Sequence, residues 1–140
     1  MSHPLKDASG RMSSQEIFKN SKEVAKYSND WKEVYAQVQA LLQTDKVRCI
    51  RSGNTFYIYE IKSPGVANMF FVNADPVRTF IRNTEEALKG IKVAGFKQIT
   101  GQTDDMPTIQ ALQTVAQKYG HEITFEQTGE DGIYKVTLNV

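Results

Sequence analysis

The chain holds one cysteine, Cys49, in 140 residues. A lone thiol makes no internal disulfide and no cysteine-rich zinc site, which excludes stapled secreted scaffolds and zinc ribbons. Long apolar runs are missing too, since no stretch approaches the roughly 18 consecutive apolar residues of a membrane-spanning helix. The start, Met1-Ser2-His3-Pro4-Leu5-Lys6-Asp7, lacks the apolar block of a signal peptide. The expectation is a cytosolic protein, or one built into a particle in the cytosol. Charge of one sign is also absent. Lys and Arg number 17 against 16 Asp and Glu, a net charge of +1. A protein that coats nucleic acid carries a basic excess to displace counterions, and this chain has none. His3 and His121, with scattered carboxylates, do not form a zinc constellation.

What is present is ordinary globular material, 40% hydrophobic and 24% charged, in a length that makes one domain. Residues 1–12, with Pro4 and Gly10 and no apolar period, read as a flexible N-terminal arm. Residues 13–140 read as the domain. Ser13-x-x-Glu16 is a capping box that starts a helix carrying Ile17, Phe18 and Val24. Asn29-Asp30 interrupts it, and Asp30-x-x-Glu33 opens a second. There Trp31, Val34, Tyr35, Val38, Leu41 and Leu42 fall on one face. The period then shortens to that of strands. Val47–Arg51 and Thr55–Ile61 flank the turn Ser52-Gly53-Asn54, and Ser63-Pro64-Gly65 leads into Val66–Val72.

Asp75, as N-cap, and Pro76, at the first helical position, begin a helix marked by Val77, Phe80, Ile81, Leu88 and Ile91. Lys97–Gly101 is a short strand. Asp104-Asp105-Met106-Pro107 opens a helix through Ile109, Leu112, Val115, Ala116 and Tyr119, which Gly120 terminates. Strand 122–127, turn 129–132 and strand 133–138 close the chain. The order α α β β β α β α β β predicts an α/β fold with a mixed, mainly antiparallel sheet and helices on both faces. One strand–helix–strand unit, residues 66–101, is parallel and right-handed.

That order resembles the GNAT superfamily of N-acetyltransferases over residues 13–140, the family's first strand coming from the arm or being absent. The strongest local piece is Ile109-x-x-Leu112-x-x-Val115-Ala116-Gln117-Lys118-Tyr119-Gly120-His121-Glu122, similar to the family's penultimate helix and the strand after it. Within the superfamily, Met69-Phe70-Phe71-Val72-Asn73-Ala74-Asp75-Pro76-Val77 is similar to tailed-phage members associated with head assembly or internal virion proteins.

The resemblance implies a glycine-bearing loop for the pyrophosphate of acetyl-CoA, where backbone N–H groups and a helix N-terminus meet the phosphates. Here the equivalent Ala74–Phe80 has no glycine, Pro76 removes a donor and Asp75 adds a negative charge; Arg78 alone favours a phosphate. The family's general acid, a tyrosine four residues before the helix-ending glycine, falls on Ala116, and Tyr119 lies on another face. On the central strands Glu60 and Tyr59 are the titratable groups open to a role as base.

Two functions follow. The first is an acetyltransferase-like accessory or virion-assembly protein, non-catalytic and with no cofactor. It acts by protein–protein contact with phage structural or assembly proteins, in the host cytosol or the virion. The alternative is a divergent acetyl-CoA-dependent N-acetyltransferase acting on an amine. In it Phe71 and Val72 offer backbone groups to pantetheine and Arg78 reaches the pyrophosphate. No catalytic residue and no metal ligand is assigned. A third class, a nucleic-acid module stacking bases on Phe56, Tyr57, Tyr59, Phe70 and Phe71, competes with reading those aromatics as core.

Remaining features take plain readings. Cys49 is a half-buried strand thiol, His121 a strand-start residue, Asp104-Asp105 a helix start and Trp31 a core anchor. Lys19, Lys22 and Lys26, interleaved with Glu16 and Glu23, make a solvated helix face.

Overall fold

The computed structural model describes residues 12–130 and 132–140. The arm expected over residues 1–12 lies, Met12 apart, outside the described residues, as does any first strand drawn from it. The capping box forms as predicted: the amide of Glu16 donates to Ser13 Oγ at 3.1 Å and that of Ser13 to Glu16 Oε1 at 3.3 Å. The helix it starts is shorter than the pattern suggested. It divides at Ser21 into α1 (Ser14–Asn20) and α2 (Lys22–Tyr27). Ser21 is extended, with φ −77° and ψ 127°, and its hydroxyl accepts from the Val24 amide, so one serine ends the first helix and caps the second. Asp30 caps α3 (Trp31–Leu41) by accepting from the Lys32 amide.

Six strands follow in one sheet, in spatial order β1-β2-β3-β4-β6-β5. β1 (Val47–Ser52), β2 (Thr55–Ser63) and β3 (Val66–Asn73) form the antiparallel meander. The crossover helix α4 (Val77–Val93) leads to β4 (Gln98–Thr103), which runs parallel to β3. Helix α5 (Met106–Tyr119) leads to β5 (Glu122–Gln127) and β6 (Tyr134–Asn139), and β6 inserts between β5 and β4. Gly120 holds the left-handed conformation at φ 69°, where a side chain would be strained, and stops α5. This is the predicted class: a mixed, mainly antiparallel sheet with helices on both faces.

Strand alternation divides the core in two. Phe56, Ile58 and Val72 face α1–α3 and pack with Ile17, Phe18, Val24, Val34 and Val38. Tyr57 and Tyr59 face α4 and α5, among Phe80, Ala87, Leu88, Ile91, Ala111, Val115 and Ala116. Each large side chain removed from water on either face contributes roughly 1.5–3 kcal/mol before chain entropy is charged against it. Among the described residues no helix is long and apolar enough to cross a membrane.

Candidate active site

β3 and β4 pair at Val66↔Gln98, Ala67↔Ile99 and Asn68↔Thr100, and there the ladder stops. Both strands continue, β3 to Asn73 and β4 to Thr103, so their C-terminal halves part into a V. Gly101 sits at the vertex. A Cβ on it would lie 2.8 Å from the Met69 carbonyl oxygen, so only glycine lets β4 come this close before the strands diverge.

A strand edge without a neighbour leaves amides and carbonyls to be satisfied otherwise. At the far end of β3, the Asn73 amide donates to Glu23 Oε1 at 3.0 Å. The backbone groups of Phe71, two residues earlier, point to that same side by alternation, into the V. The resulting cleft has a volume of about 650 Å³ and is lined from both faces of the sheet. Val24, Val34, Val38 and Phe70 line it on the α2–α3 side, and Tyr57, Phe80 and Thr84 on the α4 side.

The α4 wall is aromatic and uncharged. The Phe71 ring lies 4.9 Å from that of Phe80, and Tyr57 stacks on Phe80 at 6.3 Å. The Tyr57 hydroxyl is 2.6 Å from Thr84 Oγ1, which itself donates to the Phe80 carbonyl at 2.8 Å. Burial pushes the Tyr57 hydroxyl well above the usual tyrosine range, so it stays protonated.

The start of α4 differs from expectation. The N-cap is Pro76, not Asp75, and no side chain bonds the first turn. Asp75 is drawn the other way: its carboxylate accepts from the Asn54 amide at 2.8 Å, from Asn54 Nδ2 at 3.0 Å and from Asn83 Nδ2 at 2.8 Å. The carboxylate is thus turned to the β1–β2 turn and to Asn83, and the amides of Val77, Arg78 and Thr79 are left without a side-chain cap. The loop also needs no glycine, because no residue from Asn73 to Pro76 has a positive φ.

Across the mouth, α2 is tied to the β4–α5 loop. Lys22 Nζ lies 3.1 Å from Asp105 Oδ2, and Lys26 Nζ 3.1 Å from Asp104 Oδ1. The lysines are exposed as predicted, but Glu23 between them is not part of a solvated face. Its Oε1 accepts from Ser21 Oγ at 3.0 Å as well as from Asn73. Burial raises its carboxyl above the ordinary glutamate value, against the opposing pull of those bonds.

The residues singled out in the sequence are dispersed. Phe71 lies on the splayed half of β3. Val72, just beyond, pairs with Phe56 of β2, and its side chain belongs to the α1–α3 core. Arg78 is exposed on the first turn of α4. Tyr59 packs edge-on to Phe96 at 5.5 Å, and Glu60 pairs with Lys62 at 2.7 Å; neither lines the cleft. Cys49 is pushed up to about 12 by burial, which makes it inert. Ala116 is buried, and the Tyr119 hydroxyl donates to Glu85 at 3.3 Å outside the cleft. His121 stacks on Tyr119 at 6.1 Å. Of the aromatic run, Phe56, Tyr57 and Tyr59 are core, whereas Phe70 is 42% exposed and lines the cleft. Glu23 escaped the sequence reading because helical spacing placed it among lysines; the break at Ser21, which turns it inward, has no hydrophobic signature.

No protein-family model matches the chain, and comparison with curated proteins finds no similar sequence. Solved structures do match in fold. A protein assigned to the GNAT acetyltransferase family from Desulfovibrio desulfuricans is 9% identical, with TM-score 0.55 over 90% of this chain and 88% of its own. Aminoglycoside 6'-acetyltransferase type Ii is 11% identical, with TM-score 0.54 over 89% and 90%. The Campylobacter jejuni N-acetyltransferase PseH, in complex with acetyl coenzyme A, is 15% identical, with TM-score 0.50 over 91% and 92%. Each of these three structures is described as an acetyltransferase, and at such identities the likeness shows the fold. The PseH complex also overturns the expectation that no cofactor is involved, since the matching structure holds acetyl coenzyme A. The chain has a GNAT-like fold.

Proposed function

We propose that this chain is an acetyl-CoA-dependent N-acetyltransferase acting on an amine. The observation that carries the reading is the parting of β3 from β4 after three paired positions. It leaves an open strand edge and a cleft running between the faces of the sheet. An extended ligand with amide groups fits such an edge, because it can replace the missing strand's hydrogen bonds. Bound acetyl-CoA would supply the acetyl group as an activated thioester.

The chain's own residues then have definable tasks. The Phe71 amide and carbonyl meet the amides of the pantetheine arm. The uncapped first-turn amides of α4, with the Arg78 guanidinium beside them, meet the pyrophosphate. The loop takes its path without glycines, since no residue from Asn73 to Pro76 has a positive φ, so the N–H groups open to a phosphate are those of the first turn of α4. Asp75 keeps its negative charge, but its carboxylate is bonded to Asn54 and Asn83 rather than to the first-turn amides. What the site does lack is a hydroxyl at Ala116, where the resemblance implies a general acid. Such a group contributes roughly 10²–10⁴-fold, so a slow enzyme is expected.

Calorimetric titration with acetyl-CoA tests the reading. Micromolar binding is expected, weakened about tenfold in Arg78→Ala by loss of a charge-assisted contact. An absence of heat from the folded chain overturns it.

A further inference from the structure

The sheet has two outer strands, and they end differently. At β1 the chain itself arrives: the Arg51 guanidinium donates to the Met12 carbonyl at 2.7 Å. β5 has β6 on one side and no strand on the other among the described residues. Such edges are ordinarily blunted by proline, lysine, a bulge or a covering segment. The sequence Glu-Ile-Thr-Phe-Glu-Gln holds no proline, no glycine and no basic residue, and it pairs with β6 at six successive positions without a shift.

We propose that β5 is a self-association edge: two copies of this chain join β5 to β5, antiparallel about a two-fold axis, with Phe125 opposite its own copy. Association at this edge is independent of the acetyl-CoA reading.

Backbone direction is the first argument. The Val140 amide donates to the Lys97 carbonyl, on the β4 side, at 2.8 Å. Directions alternate along a strand, so Asn139, Thr137 and Lys135 turn their backbone groups to β5. Their partners Glu122, Thr124 and Glu126 face inward in the same ladder. The Thr128 amide, bonded to the Ile133 carbonyl at 3.2 Å, keeps that parity. Ile123, Phe125 and Gln127 therefore direct their amides and carbonyls to the open edge.

Side chains choose the register. Opposed residues of antiparallel strands share a face, so in self-pairing odd positions meet odd and even meet even. Glu122, Thr124 and Glu126 are exposed on one face. Ile123 and Phe125 are half-buried on the other, where Ile123 packs against the α5 side of the core. Centred on Thr124, the pairing sets Glu122 against the copy's Glu126 twice. Centred on Glu126, it sets that carboxylate against itself. Like charges directly opposite destabilise a sheet. Centred on Ile123, it overlaps only residues 122–124 of the strand.

Centred on Phe125, it sets Thr124 against Glu126 and Ile123 against Gln127, with no like-charged pair. The nearest glutamates are then diagonal neighbours roughly 7–8 Å apart, and Lys135 stands opposite each Glu126 on β6. On the α5 face, Phe125 and Ile123 of both copies form one apolar patch across the axis. It covers side chains that a single chain leaves half in water. The glutamates thus bar the neighbouring registers and leave this one open.

Sedimentation equilibrium of the full chain tests the association, and disulfide trapping reads its register. The mass should rise from that of one chain toward that of two as concentration increases. Phe125→Lys, which sets two ammonium groups across the axis, should raise the dissociation constant about tenfold. Gln127→Pro removes an outward amide without touching the β6 ladder, and should weaken association as well. Under mild oxidation Phe125→Cys should give a covalent dimer, since a hydrogen-bonded pair about 5.5 Å apart at Cα suits a disulfide. Thr124→Cys should not, and the parent chain controls for Cys49. A chain monomeric at about 1 mM, a dimer unmoved by both Phe125→Lys and Gln127→Pro, or trapping through Thr124→Cys and not Phe125→Cys overturns the inference.

Discussion

β4 has two neighbours and treats them differently. Against β6 it pairs along its whole length, from Gln98↔Asn139 to Thr103↔Tyr134, whereas against β3 it pairs at three positions and then leaves. The contrast separates the half of the boundary that holds the sheet from the half that opens it. The closed half of the β3–β4 boundary buries Ala67 and Ile99 between the helices, and its backbone groups are satisfied by the ladder. The open half exposes Phe70, leaves Phe71 backbone groups without a strand partner and borrows a glutamate to cap Asn73. One strand pair thus contains a structural joint and a ligand-sized gap, and substitutions in the two halves should behave differently.

The largest difference is expected between Ile99→Ala and Phe70→Ala. Ile99 is 6% exposed in the closed half, and its truncation should cost about 3 kcal/mol in denaturant unfolding. Phe70 removes more atoms, but from a side chain 42% exposed at the cleft, so its loss should stay within about 1 kcal/mol. Equal losses would mean that the open half is packed as firmly as the closed one.

Gly101→Ala probes the vertex between them. A methyl 2.8 Å from the Met69 carbonyl forces backbone to move on one strand or the other. Overpacking of this kind should cost about 1–2 kcal/mol, after the smaller gain from a stiffer unfolded chain is deducted. Acetyl-CoA binding should change with it, because the vertex sets where the V begins. A variant as stable as the parent would show that the close approach is not required.

The closed half was legible in the residues themselves, whereas the open half was expected at Phe71 and Val72 only through the acetyltransferase resemblance, and its starting point was not. Alternating apolar residues announce a strand, and Ser13-x-x-Glu16, Asp105 and Gly120 announce helix ends, because each is a local chemical event. The length over which two parallel strands stay paired is decided by backbone far apart in the chain, and Gly101 looked like the mere end of a strand. Asp75 misled for a related reason. As an isolated residue before Pro76 it is a good N-cap, but Asn54 and Asn83 offer it three donors that only the folded chain assembles. Glu23 was hidden by a helix break that one serine imposes.

The smallest effects come from two carboxylates near the mouth, and they have opposite signs. Burial would raise Asp105, but bonds from Thr108 and Lys22 outweigh it and hold the group below its ordinary value of 3.8. Its contribution is therefore present above pH 3.8 and is lost as pH falls through the lower folded value. Asp105→Asn should cost about 1 kcal/mol at pH 7, since the Lys22 partner is half in water, and the deficit should close in acid.

Glu23 runs the other way. Its folded value lies above 4.5, so its contribution is complete below pH 4.5 and declines as pH rises through that value. Melting temperatures of the parent chain and Glu23→Gln should therefore converge toward acid and separate toward neutral pH, with the glutamine variant at least as stable at pH 7. Such a result would place a carboxylate whose ionisation costs stability in the half of the boundary that does least for the fold. A glutamine variant less stable than the parent at pH 7 would instead make Glu23 a structural cap for Asn73.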